Sequence, residues 1–167
     1  MEARTNGEPK PAKNRTTVER KSDRELVITR TFDGPAHVVF EAWTKPELLK
    51  RWWVPKSADV SLLSCEADVR VGGRYRFEIG RAASAAKPMA FFGRYLEVIP
   101  NSRLVWTNEE SADGAVTTVT FREQAGKTQV VMHELYPSKE AADGAIAGME
   151  GGMSEMFAQL DELLVTL

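Results

Sequence analysis

Hydrophobic and polar residues alternate along most of this chain, and alternation with a period of two is typical of strands with one buried face. Residues 24–32 are the first such segment, with Leu26, Ile28 and Phe32 between charged or polar neighbours. The further predicted strands are residues 60–65, 73–79, 91–99, 103–108, 116–123 and 128–135. Short turns rich in glycine, proline and asparagine separate most of them, which favours hairpins and an antiparallel sheet.

Three segments instead repeat their apolar residues every three or four positions, as helices do. The first follows Asp33, which we expect to cap it, and a second short helix begins near Pro46. The last covers residues 138–167 and places Met149, Met153, Met156, Leu160 and Leu163 or Leu164 on one face. The order is one strand, two short helices, about six strands and one long helix.

An antiparallel sheet with one apolar face needs a cover, and only the last helix is long enough to supply it. We therefore predict an α+β fold, in which a curved antiparallel sheet of about six to seven strands wraps round a long C-terminal helix. The chain of 167 residues has the length of one domain. Residues 1–22 are polar and without periodicity, so we predict a disordered N-terminal arm before a domain over residues 23–167.

Charge and cysteine content exclude several function classes. Lys and Arg total 22 against 24 Asp and Glu, so no excess of positive charge favours nucleic acid or an anionic membrane. No apolar run approaches the roughly 18 residues of a membrane span. Cys65 is the only cysteine, which excludes an internal disulfide and a cysteine zinc cluster and fits a reducing cytoplasm. We predict no cofactor and no metal.

The titratable residues do not form a recognisable catalytic or metal motif. His37 and Glu41 have the spacing of one helix face, but two ligands without a third make a poor metal site. His133 and Glu134 are adjacent on a predicted strand, so their side chains point to opposite faces. Cys65 lacks a nearby base in the sequence, which favours a buried, inert thiol. We assign no catalytic residue.

Aromatic residues and methionines are the better candidates for a binding site. Alternation places Tyr75 and Phe77 on the inner face of their strand. On the strand over residues 91–99 we favour the face of Tyr95, which also carries Ile99 and Glu97, as the inner face. The opposite face of this strand remains the alternative. The predicted ligand-binding residues are Trp43, Trp52, Tyr75, Phe77, Tyr95, Trp106, Phe121, Met149, Met153 and Met156. Plain core packing is the alternative for each, because cores and pocket walls share this composition.

Four glycines, Gly144, Gly148, Gly151 and Gly152, lie in the first half of the long helix. A glycine inside a helix costs about 0.5–1 kcal/mol relative to alanine. We therefore expect this half to open more readily than the second half and to act as a gate to the apolar interior.

Three motifs carry a resemblance to a known family. They are FDGPAHVVFEAWTKPELLKRWWVP at residues 32–55, DVRxGGRYRF at 68–77 and GRYLEVIPxxRLVWT at 93–107. The chain resembles the SRPBCC (START-like) superfamily, in the branch similar to the C-terminal domain of the activator of the heat-shock protein ninety ATPase. The resemblance implies a helix-grip fold with an apolar cavity between sheet and helix. One departure is Gly148-Met149, where the family commonly has Gly-Trp.

That superfamily is mixed in function, so three hypotheses follow. The first is a protein that binds a small apolar or aromatic molecule, with a homodimer left open as its oligomeric state. The second is an enzyme of the cyclase, aromatase or hydrolase type, in which burial raises the pKa of Glu97, Glu134 or a histidine. The third is an interaction protein that activates a chaperone through an exposed apolar surface.

Overall fold

Strands pair edge to edge in one antiparallel sheet of the computed structural model, which describes residues 15–81 and 86–167. Within these residues the strands are β1 (Thr17–Ser22), β2 (Glu25–Asp33), β3 (Ser61–Ala67), β4 (Arg74–Gly80), β5 (Met89–Ile99), β6 (Arg103–Thr107), β7 (Val116–Gln124) and β8 (Lys127–Leu135). Their order across the sheet is β1-β2-β8-β7-β6-β5-β4-β3. Each pair of neighbouring strands is consecutive in the chain, except β2 and β8. Two short α-helices and the five strands β3 to β7 lie between these two in the sequence.

Three α-helices complete the described chain: α1 (Ala36–Thr44), α2 (Pro46–Leu49) and α3 (Lys139–Val165), with a 3₁₀ helix at Lys56–Ala58. The helix α3 begins after Ser138, whose hydroxyl accepts a hydrogen bond from the amide of Ala141 at 3.1 Å. Its buried face enters the main core with the inner side of the sheet. The predicted helix-grip architecture is confirmed, with eight strands rather than six or seven. No described helix has the length and hydropathy of a membrane span.

The additional strand is β1, which lies within the predicted disordered arm. It pairs antiparallel with β2, and Val18 is opposite Ile28. Arg20 joins this strand to α3 through the Asp143 carboxylate at 2.6 Å. The prediction of an arm up to Ser22 is therefore wrong for Thr17–Ser22, because backbone pairing and an ion pair hold a strand that has only one apolar residue. Residues 1–14 of the predicted arm lie outside the described residues.

The predicted cap of the first helix is also wrong. Gly34 and Pro35 separate Asp33 from Ala36, where α1 begins, and Asp33 instead pairs with Lys127 at 2.9 Å. The free amide of Ala36 donates to the Glu123 carboxylate at 2.9 Å. A carboxylate from the sheet therefore takes the place of a local cap, as the positive end of the helix dipole favours.

A β-bulge interrupts β5 in its middle. Tyr95 is opposite Trp106 and Glu97 is opposite Val105, so Leu96 is an extra residue between two paired positions. Such a bulge changes the face to which the following side chains point. The alternation of inward and outward side chains is therefore shifted by one residue after Leu96.

The faces of β4 and β5 follow from this register. Tyr75, Phe77 and Tyr95 are buried, as predicted. Ile99 is 43% exposed and Glu97 pairs with Arg103 at 2.8 Å on the outer face. The prediction that Ile99 and Glu97 share the inner face of Tyr95 is wrong, because a period of two holds only along an uninterrupted strand.

Candidate functional site

A large open cavity of about 800 Å³ lies at one end of the sheet, beside α3. Several elements meet there: the segment after α2, the end of β4, the start of β5, the β6-β7 connection, the end of β8 and the middle of α3. The described residues that line it are Trp53, Val54, Pro55, Ala58, Val60, Ile79, Gly80, Arg81, Ala86, Lys87, Met89, Phe91, Asn108, Glu110, Ser111, Asp113, Gly114, Ala115, Glu134, Tyr136 and Met156.

A smaller inner cavity of about 80 Å³ adjoins it under the sheet. Trp53, Phe91 and Asn108 line both spaces, so the inner cavity continues the outer one. Its other lining residues are Trp43, Leu49, Tyr75, Phe77, Tyr95 and Trp106. The indole Nε1 of Trp43 is buried and has no hydrogen-bond partner among the described residues.

The segment that carries Trp53 is held by the side chain of Gln159 on α3. The amide nitrogen of Gln159 donates to the backbone oxygens of Trp52 at 3.1 Å and Val54 at 2.9 Å, and its oxygen accepts from the amide of Lys56 at 2.9 Å. Gln159 is buried, as is its bond to Trp52, while the bonds to Val54 and Lys56 are part-buried. The helix therefore fixes one wall of the cavity through backbone atoms on both sides of Trp53.

A chain of hydrogen bonds forms the polar wall. The Asn108 nitrogen Nδ2 donates to the Ala115 backbone oxygen at 2.7 Å and to Thr117 Oγ1 at 3.0 Å. A backbone oxygen only accepts, which establishes which side-chain atom of Asn108 is the nitrogen. Because Thr117 Oγ1 accepts from Asn108, its own proton is directed to Glu134 Oε1, 3.0 Å away.

Glu134 is the titratable group at the end of this series of hydrogen bonds. Its side chain is buried, and burial raises its pKa to about 7, although the hydrogen bond from Thr117 opposes the shift. Within the described residues, Oε2 of Glu134 accepts no hydrogen bond. Of the two carboxylates considered from the sequence, Glu134 lies on the cavity wall and Glu97 lies on the outer face.

Burial and nearby carboxylates raise the pKa of two tyrosines in the cavity walls. Burial raises the pKa of the Tyr75 hydroxyl well above its usual value, and the charges of Glu110, Glu109 and Glu134 raise it further. Burial and the charge of Glu134 raise the pKa of Tyr136 in the same way. For both tyrosines burial is the larger cause, and the carboxylates act in the same direction.

The predicted binding residues divide between the cavities and the core. Those on the inner cavity wall are Trp43, Tyr75, Phe77, Tyr95 and Trp106, and Met156 lines the outer cavity. Their rings pack closely, with centroids 5.9 Å apart for Tyr75 and Tyr95 and 5.4 Å apart for Tyr75 and Phe77. The structure thus brings the inward aromatic residues of β4, β5, β6 and α1 together.

The other four predicted residues lie outside both walls. Trp52 is fully buried and donates to the backbone oxygen of Ala42 at 3.0 Å. Phe121 packs edge-on against Phe40 with centroids 5.3 Å apart. Met149 and Met153 pack against the core without lining either cavity. Composition alone does not separate these positions from the wall, because both are apolar.

Sequence reasoning missed Trp53 and Asn108, which line both cavities, and Tyr136 at the outer one. Trp53 had a signal, because Leu49, Trp52 and Trp53 recur at helical spacing in the sequence. Asn108 had none, because its role depends on partners in β4 and β7.

The histidines and the cysteine are not part of the cavity walls. His37 is exposed on α1, and His133 contacts Glu25 at 2.8 Å on the face opposite to Glu134. Cys65 packs against the core, and burial raises the pKa of its thiol to about 11. The described residues contain no group of three side chains placed to bind a metal ion.

Comparison with known proteins identifies the family. Residues 33–165 match the family described as activator of Hsp90 ATPase homolog 1-like protein. The chain belongs to this family. Its match covers the elements from α1 to α3 that build both cavities. None of the curated proteins matches the chain.

Solved structures share the fold of this activator-homolog family member. A protein from Rhodobacter sphaeroides has a TM-score of 0.82 at 23% identity and covers 91% of this chain and 99% of its own. A protein from Nitrosomonas europaea has a TM-score of 0.78 at 22% identity, with coverage of 89% and 98%. A protein from Staphylococcus epidermidis has a TM-score of 0.72 at 29% identity, with coverage of 90% and 94%.

Proposed function

We propose that this protein binds a small, largely apolar or aromatic molecule in the two adjoining cavities. The observation that carries the proposal is the aromatic wall shared by the cavities, to which Trp53 and Phe91 contribute on both sides. An outer volume of about 800 Å³ lies within the range of small-molecule sites, roughly 300–1,000 Å³. The family's fold supports the proposal, since the resemblance implies a cavity between sheet and helix.

The geometry suggests how such a molecule is held. The inner cavity of about 80 Å³ admits a small group, and the main body of the ligand occupies the outer cavity. Burial of apolar surface supplies affinity at roughly 25 cal/mol per Å². Asn108 and Glu134 are the polar groups that orient the ligand between these rings.

Two neighbouring phenylalanines on β5 provide a matched test. Phe91 lines both cavities, whereas Phe92 points to the outer face. There the guanidinium carbon of Arg76 lies 5.6 Å from the centroid of the Phe92 ring. Binding of naphthalene-sized aromatics and medium-chain fatty acids is measured by calorimetry and by the shift in melting temperature. We expect Phe91→Ala to weaken binding about tenfold and Phe92→Ala to leave it unchanged.

Two results contradict this proposal. If the wild-type protein binds none of these compounds, the cavity does not serve apolar ligands. If Phe91→Ala and Phe92→Ala weaken binding equally after correction for folding, the ligand lies elsewhere.

A second candidate function is acid-base catalysis, and Glu134 is the observation that favours it. A carboxylic acid with a pKa of about 7 in a cavity wall is suited to transfer a proton at neutral pH. The test is turnover of cyclisable polyketide-like substrates and aryl esters by the wild-type protein and by Glu134→Gln. Catalysis requires turnover that Glu134→Gln abolishes while heat stabilisation by the bound substrate remains.

A further inference from the structure

Glu134 is buried between two strands without a positive partner. Leu26 of β2 is opposite it on one side and Thr117 of β7 on the other. None of the described lysines, arginines or histidines forms an ion pair with it, and no positive charge contributes to its pKa. A buried carboxylate with one hydrogen bond is energetically costly, and a cation from outside the chain removes that cost.

The hydrogen bonds around Glu134 leave acceptors unused at the cavity wall. Thr117 supplies its only proton to Oε1 of Glu134, which leaves Oε2 without a donor among the described residues. The Tyr75 hydroxyl has one proton and lies 2.6 Å from the Thr107 backbone oxygen but 3.3 Å from Oδ1 of Asn108. Oδ1 of Asn108 therefore accepts only a weak hydrogen bond. The ligand that fits both atoms is a hydrogen-bond donor.

Charged side chains round the cavity favour a positive donor over a neutral one. Glu110 and Asp113 from the β6-β7 connection add two carboxylates to that of Glu134. Arg81, at the end of β4, is already paired with Asp59 at 3.2 Å. Lys87, at the start of the next segment, is exposed at the rim. Among the described lining residues, three carboxylates thus stand against two cations, of which Arg81 is already paired.

Aromatic rings share the wall with this carboxylate. Trp53, Phe91 and Tyr136 line the same outer cavity as Glu134. The faces of such rings attract an organic ammonium group, and most strongly where water is excluded. A carboxylate beside aromatic faces is suited to an ammonium group on an apolar body.

We propose that the ligand of this cavity is an organic cation, an aromatic or alicyclic body with a protonated amine that pairs with Glu134. The inference rests on the proposed function and adds the charge and donor group of the ligand. The amine donates to Oε2 of Glu134 and to Oδ1 of Asn108, while the body packs on Trp53 and Phe91.

Three probes with one aromatic body test the charge of the ligand: 2-naphthylmethylamine, 2-naphthylmethanol and 2-naphthoate. Dissociation constants are measured by calorimetry at pH 8. We expect the amine to bind at least about tenfold more tightly than the alcohol, and the carboxylate probe to bind most weakly, because ion pairs shielded from water are strong. The preference for the amine should disappear in Glu134→Gln and persist in Glu97→Gln, which removes an exposed carboxylate instead.

The pH dependence of binding supplies a second test on the unmodified protein. Burial places the pKa of Glu134 near 7, so lowering the pH from 8 to 5.5 protonates it. The amine should lose about tenfold or more in affinity over this range, and the alcohol should not. The other titratable side chains that line the outer cavity are Arg81, Lys87, Glu110, Asp113 and Tyr136. This test decides the matter if Glu134→Gln does not fold.

The results separate the inference from the proposed function. If the alcohol binds as tightly as the amine at pH 8, the ligand is not selected by positive charge, and the apolar binding function stands. If none of the three probes binds, the inference is wrong, and the proposed function is wrong as well only if the fatty acids also fail to bind. A preference for the amine that persists in Glu134→Gln would place the cation at another group and overturn the inference.

Discussion

The side-chain nitrogen of Gln159 lies 2.9 Å from the backbone oxygen of Val54, and this bond ties the long helix α3 to the segment that carries Trp53. The same amide group also serves Trp52 and Lys56. A single side chain therefore satisfies three backbone groups of a segment that has little regular structure. The position of Trp53 at the junction of the two cavities depends on this helix contact.

Replacing Gln159 by alanine should destabilise the protein and loosen this wall. The change leaves buried backbone groups without partners, which we expect to lower the free energy of unfolding by about 1–3 kcal/mol. Urea denaturation measures the loss, and tryptophan fluorescence reports the altered surroundings of Trp53. The same substitution at Gln129, which is exposed on β8, should change stability by less than about 0.5 kcal/mol. Equal effects at both positions would contradict a role for Gln159 as an anchor.

Glu134 should make stability fall as the pH rises. Its pKa is raised from 4.5 to about 7 on folding, so the folded state holds the proton more tightly than the unfolded state. The contribution is fully present below pH 4.5 and is lost as the pH rises through 7. The total is about 3 kcal/mol.

The measurement is the free energy of unfolding of the wild-type protein and of Glu134→Gln between pH 4.5 and 8. Relative to the variant, the wild-type protein should lose stability with rising pH over this range. Parallel curves would show that folding does not shift the pKa of Glu134.

The β7-β8 turn offers a stabilising substitution. Ala125 and Gly126 have φ angles of 56° and 79°, which is the left-handed region required by a two-residue hairpin turn of type I′. Asparagine tolerates this conformation better than alanine, so Ala125→Asn should stabilise the protein by about 0.5–1 kcal/mol. Gly126→Ala should destabilise it. Thermal unfolding of both variants checks the pair, and a loss of stability in Ala125→Asn would contradict the assigned turn.

The glycine-rich half of α3 offers a second stabilising substitution. A methyl group on Gly151 meets no atom within 4 Å, so the space is open. Gly151→Ala should raise helix stability by up to about 1 kcal/mol and slow hydrogen exchange near residues 148–153 relative to residues 157–163. Gly93→Ala is the contrasting variant, since its methyl would lie 2.0 Å from the Thr107 backbone oxygen and should destabilise the protein.

Uniform exchange along the whole of α3 in the wild-type protein would contradict the predicted gate. Access to the cavities would then lie at the outer opening, where Arg81 and Lys87 form part of the rim.

Most of the fold was predictable because its signals are local. The alternation in β2 and β4 and the helical repeat of α3 reflect which side chains each element buries. β1 was missed because Val18 is its one apolar residue, and pairing with β2 stabilises it. The exchange of faces after Leu96 was missed because a bulge is a property of two strands in register.

The candidate site was predictable only in part, and for a related reason. Tyr75 and Phe77 could be placed on the inner face from their own strand. Asn108 and Glu134 act through Thr117, which lies 9 and 17 residues from them in the sequence and meets both through the pairing of the strands. Polar networks of this kind depend on tertiary geometry, which hydropathy patterns do not encode.

The bulge at Leu96 also has a consequence for how this binding site can diversify. Leu96 and Glu97 both lie on the outer face, so Tyr95 before them and Val98 after them both point inward. Deleting Leu96 in a descendant sequence would restore a continuous pleat and leave Tyr95 and Val98 on their present inner face. A single-codon deletion at this point would thus keep the wall residues, whereas the same deletion elsewhere in the strand would turn one half of it to the other face.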